Sequence, residues 1–120
     1  METLAISRDS GVVTIELNRP DVRNAFNDQV VTELTQAFEA LGPDDRAVIL
    51  TGAGKSFCAG ADLNWMKKSA QYTEEENAAD AATMVALFNA INTWSGPVIG
   101  RINGAALGGG VGLVSCCDIV

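Results

Sequence analysis

Apolar and polar residues alternate at the start of the chain and fall at helical spacing soon after. Val13, Ile15 and Leu17 are interleaved with Thr14 and Glu16, the period of a strand with one buried face. Leu4-Ala5-Ile6 precedes them across Asp9-Ser10-Gly11, and this spacing predicts an opening hairpin. Asn18-Arg19-Pro20-Asp21 breaks the second strand. From Asp28 to Leu41 the period becomes helical, with Val30, Leu34, Ala37, Phe38 and Leu41 on one face. Asn27 is placed to cap this helix, Asp28 sits in its first turn, and Gly42-Pro43 ends it. Ala47–Leu50 reads as a buried strand closed by Gly52 and Gly54, and Ser56–Met66 as a loop with a short helical turn.

Thr73-Glu74-Glu75-Glu76 is a capping box that opens a helix running to Thr93. Ala78, Ala81, Ala82, Val85, Phe88 and Ile91 are its expected inner face. After Ser95-Gly96-Pro97 come a strand over Val98–Ile102, a helix over Gly109–Cys116 and the start of a strand at Asp118-Ile119-Val120. Strands alternating with helices predict the α/β class.

Composition narrows the chemistry. A chain of 120 residues with 48% hydrophobic content predicts one domain, or part of one, with a real core. The net charge of −7 excludes a broad basic field for nucleic acid, while anionic small molecules depend only on local donors. There is no histidine, which removes Ser-His-Asp and Cys-His catalysis, histidine metal sites and the commonest general base. Cys58, Cys116 and Cys117 have no zinc or redox spacing. They read as reduced, buried residues, and no metal site is expected. Met1–Gly11 resembles neither a secretion signal nor a transit peptide, and no apolar run is long enough to span a bilayer. These features predict a cytoplasmic protein with no membrane partner.

The chemistry concentrates in two glycine-bearing stretches. Gly108-Gly109-Gly110 follows a strand and the turn Asn103-Gly104-Ala105, and Ala59-Gly60-Ala61-Asp62 lies upstream. Alone, the first reads as close packing of a helix on a sheet and the second as a tight turn with Asp62 as a cap. Together they fit two sets of backbone amides converging on one oxygen. An oxyanion hole needs two rigid donors about 3 Å from the charged atom, and the dipole of a helix starting at Gly109 adds to the field. Gly52-Ala53-Gly54-Lys55-Ser56 invites comparison with a phosphate-binding loop, but Ile49 stands where that loop needs its first glycine. It reads as a turn.

Four stretches carry a family resemblance. They are Leu17-Asn18-Arg19-Pro20 with Arg23-Asn24-Ala25-Phe26, Phe57-Cys58-Ala59-Gly60-Ala61-Asp62-Leu63, Asn103-Gly104-Ala105-Ala106-Leu107-Gly108-Gly109-Gly110, and Cys117-Asp118-Ile119. In this order and spacing the chain resembles the enoyl-CoA hydratase/isomerase (crotonase) superfamily over essentially its whole length. Cys58 to Met66, with Asn64-Trp65-Met66, is similar to bacterial methylglutaconyl-CoA hydratase-type members. The resemblance implies a crotonase-like spiral of ββα repeats, with residues 1–120 forming the N-terminal part of a single core domain. It implies an acyl-CoA thioester as substrate and no cofactor, coenzyme A being part of that substrate. Ala61 and Gly109 would supply the oxyanion amides. Ala59, Leu63 and Gly108 would line the acyl and pantetheine channel, with Arg23 and Ala25 near the nucleotide or pantetheine arm. Asp62 would sit beside the hole as a structural group, since neighbouring backbone donors favour a low pKa. Assembly would be as a homo-trimer or hexamer.

One position departs from the pattern. Many hydratases of the superfamily carry a glutamate two residues after the last glycine of the triplet, where this chain has Gly112. A second family glutamate would fall beyond Val120. The implied reaction is hydration of an α,β-unsaturated acyl-CoA. Double-bond isomerisation, thioester hydrolysis and a non-catalytic acyl-CoA-binding or assembly subunit are the alternatives. Trp65 and Met66 fit a core or subunit contact at least as well as an acyl pocket, and Lys67-Lys68 reads better as a solvated helix end than as a phosphate site.

Overall fold

The computed structural model describes all 120 residues and has the α/β architecture expected from the sequence. Strands β1 (Leu4–Asp9) and β2 (Val12–Leu17) pair antiparallel, with Leu4 opposite Leu17. Ser10 and Gly11, both at positive φ, form the two-residue turn that matches the twist of such a hairpin. Strands β3 (Ala47–Gly52) and β4 (Val98–Gly100) add in parallel, giving the sheet order β1-β2-β3-β4. The helices are α1 (Asp28–Glu39), α2 (Leu63–Ser69), α3 (Glu74–Thr93) and α4 (Gly109–Cys116). None is long and apolar enough to cross a membrane.

A second, shorter ladder shows how the chain winds. Phe26 pairs in parallel with Ala61, and Cys58 with Ala106. Each turn therefore lays one residue group on the main sheet and another on this inner ladder before a helix returns the chain. β2, Phe26 and α1 make one turn. β3, Cys58–Ala61 and α2–α3 make the next, and β4, Ala106 and α4 the third. The Ile99–Ile119 bridge begins a fourth. Parallel strands need long crossovers, and the helices supply them.

The core lies between sheet and helices. Val13, Ile15 and Leu17 of β2, Val48 and Leu50 of β3, and Val30, Leu34, Ala37 and Phe38 of α1 are all buried in it. The caps form as expected. Asn27 Oδ1 accepts from Val30 N at 2.9 Å, and Thr73 and Glu76 exchange both bonds of the capping box at 3.1 Å.

Three expectations need correction. The inner face of α3 is carried by Met84, Leu87, Phe88 and Ile91, packed against α1 and α4. Ala78, Ala81, Ala82 and Val85 are exposed, Val85 at 62%. Apolar residues occupy both sides of this helix, so periodicity does not select one. Strand β4 stops at Gly100, short of Ile102. Beyond it the Asn103 side chain takes over the end of β3, accepting from Gly52 N at 3.1 Å and donating to Gly52 O at 2.6 Å. Helix α1 ends at Glu39, leaving Leu41 half-buried outside it.

Candidate active site

The site is built around the segment Arg19–Phe26. Arg23 and Asn24 adopt left-handed φ of 54° and 57°, sparsely populated for residues with a Cβ. Asn24 is held there by its side chain. Its Oδ1 accepts from Arg19 N at 2.8 Å, and its Nδ2 donates to Ala53 O at 2.8 Å and Ser56 O at 2.9 Å. With Asn103 Nδ2 donating to Gly52 O and Gly54 O, four carbonyls of the Gly52–Ser56 turn point at two asparagines. The turn serves as a structural joint, its carbonyls taken up by the two asparagine side chains.

Arg23 O accepts from Ala59 N at 3.0 Å, and Phe26 then brackets Ala61. Phe26 N donates to Gly60 O at 2.7 Å, and Asp62 N donates to Phe26 O at 2.6 Å. Polar groups alternate in direction along an extended chain, so the N–H of Ala61 faces away from Phe26. That is the side on which Ala105–Leu107 pairs with Phe57 and Cys58. The Ala61 amide donates to nothing in the protein.

Gly109 opens α4, and its amide is likewise without an acceptor, because no side chain caps this helix. The two segments touch at glycines. A Cβ placed on Gly108 would lie 3.5 Å from Gly60 Cα, and both residues have positive φ, 52° and 95°. Only glycine takes these conformations at low cost. Two free amides, each one residue beyond the contact, thus stand on backbones that pass side by side.

Asp62 fixes the other edge. Its Oδ1 caps α2 by accepting from Asn64 N at 2.8 Å and Trp65 N at 3.1 Å, and its Oδ2 meets Arg19 Nη2 at 3.2 Å. Burial alone would raise its pKa, but the Trp65 amide, the Arg19 guanidinium and the Asn64 amide outweigh it and hold the carboxyl below the usual range. Both oxygens are engaged in bonds that favour the ionised form, so Asp62 is a structural anion and a poor base. Arg23, Ala25, Ala59, Ala61, Asp62 and Leu63 come together around one open cavity of about 580 Å³, with Asp21, Val22, Asn64 and Lys67. Gly108 and Gly109 lie outside that lining, across Gly60.

Comparison with known proteins gives this arrangement a family. The model of the Enoyl-CoA hydratase/isomerase family matches residues 7–120. The chain belongs to this family. It is 42% identical over 117 residues to the probable enoyl-CoA hydratase echA6 of Mycobacterium bovis, covering 97% of this chain and 45% of that protein. It is 37% identical over 123 residues to a mitochondrial Delta(3,5)-Delta(2,4)-dienoyl-CoA isomerase of Mus musculus, covering 94% and 38%. Among solved structures, an enoyl-CoA hydratase from Shewanella pealeana superposes with a TM-score of 0.95 at 37% identity, covering 98% of this chain and 45% of that one. The spiral is therefore the crotonase fold. The chain spans about half the length of the relatives it matches.

Against the family pattern, position 112 has a physical explanation. A Cβ on Gly112 would lie 2.7 Å from Phe88 Cζ. The tip of the phenyl ring occupies the space that a side chain at position 112 would enter, so a glutamate there requires the Phe88 ring to shift.

A second, mostly apolar cavity of about 380 Å³ is lined by Ala61, Trp65, Met66, Ser69, Ala70 and Asp80. Asp80 lies inside α3, away from the glycine-bearing stretches, and carries no local signal, so sequence reasoning missed it. The Trp65 Nε1 in this wall is buried without a partner. Lys67 and Lys68 are both exposed in the last turn of α2, the solvated helix end expected, with Lys67 on the rim of the first cavity and Lys68 beside a separate crevice. Burial raises the Cys58 and Cys116 thiols, and burial with Cys116 and Asp118 nearby pushes Cys117 up to about 11. All three stay protonated packing groups.

Removing the Asp62 carboxylate has a defined acid signature. Its folded pKa lies below the unfolded value of about 3.9, so its stabilisation is complete above that value and is lost as pH falls through the folded one. Asp62→Ala is expected to cost about 1 kcal/mol at neutral pH, the usual value of an N-cap. Urea melts at neutral pH and at pH 3 check this. The deficit shrinks at the lower pH, and an equal deficit at both removes the carboxylate from the account.

Proposed function

We propose that the protein containing this chain is an enoyl-CoA hydratase, adding water to an α,β-unsaturated acyl-CoA. The observation that carries the reading is the pair of acceptor-free amides at Ala61 and Gly109 on touching backbones. The thioester oxygen accepts from both. Water adds to the β-carbon, electron density moves to that oxygen as an enolate, and protonation at the α-carbon completes the 3-hydroxyacyl product. A preorganised pair of donors favours the enolate over the starting carbonyl, which lowers the barrier. Arg23 and Lys67 are the cations of the first cavity and would face the phosphates of coenzyme A, with the acyl group in the cavity of Trp65 and Met66. No cofactor enters the reaction. Asp62 is tied up and histidine is lacking, so neither moves the proton; the family resemblance assigns that step to a carboxylate beyond Val120. A cytoplasmic homo-trimer or hexamer belongs to the same proposal, and exposed Val85 and Val111 are surface that a subunit contact would cover.

Double-bond isomerisation on the same amides is the second reading. It rests on Gly112 under Phe88, since shifting a double bond needs one proton-carrying carboxylate where hydration commonly employs two. Assay of the full-length protein with a 2-enoyl-CoA and a 3-enoyl-CoA separates them. Hydration consumes the first and yields the 3-hydroxyacyl thioester. Turnover of the 3-enoyl substrate alone moves the assignment to an isomerase, and turnover of neither overturns both.

A further inference from the structure

We infer that Phe26 is a positioning residue that sets the separation of the two amide donors. The inference rests on the oxyanion reading above and names what keeps that pair in register. Phe26 is 1% exposed and lines none of the three cavities around the site. It has no access to substrate, so any influence on the reaction passes through its neighbours.

Its backbone governs the first donor. The bonds from Phe26 N to Gly60 O and from Asp62 N to Phe26 O are 2.7 and 2.6 Å long and straddle Ala61. They fix the plane of the Ala61 peptide and so the direction of its N–H. The ring governs the second donor. Phe26 Cδ2 and Cε2 lie so close to Gly109 that a Cβ on this glycine would overlap them. The first turn of α4 has no side-chain cap. Near Gly109 the chain is held by Leu107 N donating to Cys58 O at 2.9 Å and by the Gly108–Gly60 contact. The phenyl ring is therefore the solid body against which Gly109 rests. One side chain and its own backbone bear on both donors, which come from segments almost fifty residues apart (roughly a third of a typical domain).

The same geometry explains the middle glycine of the triplet. Gly108 needs its positive φ and Gly110 abuts Cys58, where a Cβ would stand 2.9 Å from Cys58 O. Gly109 is small because Phe26 occupies the space of its side chain. Positions 26 and 109 are thus coupled, and a change at one should alter the effect of a change at the other.

The test uses the full-length protein with Phe26→Leu, Phe26→Ala, Gly109→Ala and the double variant Phe26→Ala/Gly109→Ala. Thermal melts establish that each is folded; Phe26→Leu retains most of the buried volume and serves where Phe26→Ala does not fold. The readouts are kcat, KM and the infrared carbonyl stretch of a bound 2-enoyl-CoA labelled at the thioester carbonyl. That stretch moves to lower frequency as the two donors polarise the bond. Trimming the ring should lower kcat by about 10- to 100-fold, the cost of misplacing a reacting group by about 1 Å. KM should stay within about twofold, since uniform binding is untouched, and the carbonyl shift should shrink. Gly109→Ala alone should lose the shift, and the double variant should regain part of it. A full carbonyl shift and unchanged kcat in folded Phe26 variants overturn the inference alone, as does additivity at 26 and 109. No carbonyl shift in the unmodified protein overturns the oxyanion reading and this inference with it.

Discussion

Ala61→Pro is expected to lower the kcat of the full-length protein by about 100- to 1000-fold while leaving it folded. The variant deletes one hydrogen atom that stabilises nothing in the resting protein, because the Ala61 amide has no acceptor. The bonds that hold this segment come from Gly60 O and Asp62 N and survive the change. Ala61 is exposed, the ring Cδ takes the place of the acceptor-free amide hydrogen, and the residue before it is a glycine, the type least restricted by a following proline. An oxyanion donor contributes about 2.7 to 4 kcal/mol to the transition state, which sets the expected range. Gly109→Pro is a poorer probe, since any Cβ there runs into Phe26 and steric damage accompanies the lost donor. Ala61→Ser keeps the N–H and should retain most of the activity. Steady-state kinetics with melting curves decide the matter. A folded Ala61→Pro variant with undiminished kcat takes Ala61 out of the site.

The contrast between these substitutions shows what was legible in the sequence. The small residues at 59–61 and 108–110 announce close backbone approach, because glycine triplets have little other use. Caps, strand alternation and the α1 stripe were readable for a similar reason: each is a local rule acting within a few residues. The role of Phe26 was not readable. A buried phenylalanine is the commonest kind of core residue, and nothing local ties it to Gly109. Asp80 in the wall of the second cavity was invisible for the same cause. The face of α3 failed differently, since alanine and valine on both sides give the helix no preferred direction until α1 and α4 are in place. Trp65 was readable as an apolar wall or core group, but its unpartnered Nε1 emerges only from the packing.

Asn24 shows the same distinction between residue type and context, and its expected result runs against size. Asn24→Asp changes the side chain by one atom group, yet at neutral pH it should destabilise the fold more than Asn24→Ala. Asn24 is 1% exposed, and its amide orientation is fixed by its partners: Arg19 N can only donate, while Ala53 O and Ser56 O can only accept. A carboxylate in place of the amide keeps the first bond and turns a buried negative oxygen toward two carbonyl oxygens. Each unsatisfied buried group costs about 1 to 3 kcal/mol, more where charge is involved. Alanine loses the same bonds and takes on backbone strain at φ 57°, but it buries no charge. The introduced carboxyl escapes by taking up a proton and donating to one carbonyl. Its folded pKa therefore rises above the unfolded value of about 3.9. A raised folded pKa means that stability is fully present below the unfolded value and is lost as pH rises through the folded one. Chemical melts of both variants between pH 4 and pH 8 give the test. The Asn24→Asp protein should be the weaker at pH 8 and approach or pass Asn24→Ala near pH 4. Equal stability of Asn24→Asp and the unmodified protein across that range would show that the Gly52–Ser56 turn does not depend on the amide donor. The loop carrying Arg23 would then owe its left-handed conformation to something other than this clasp.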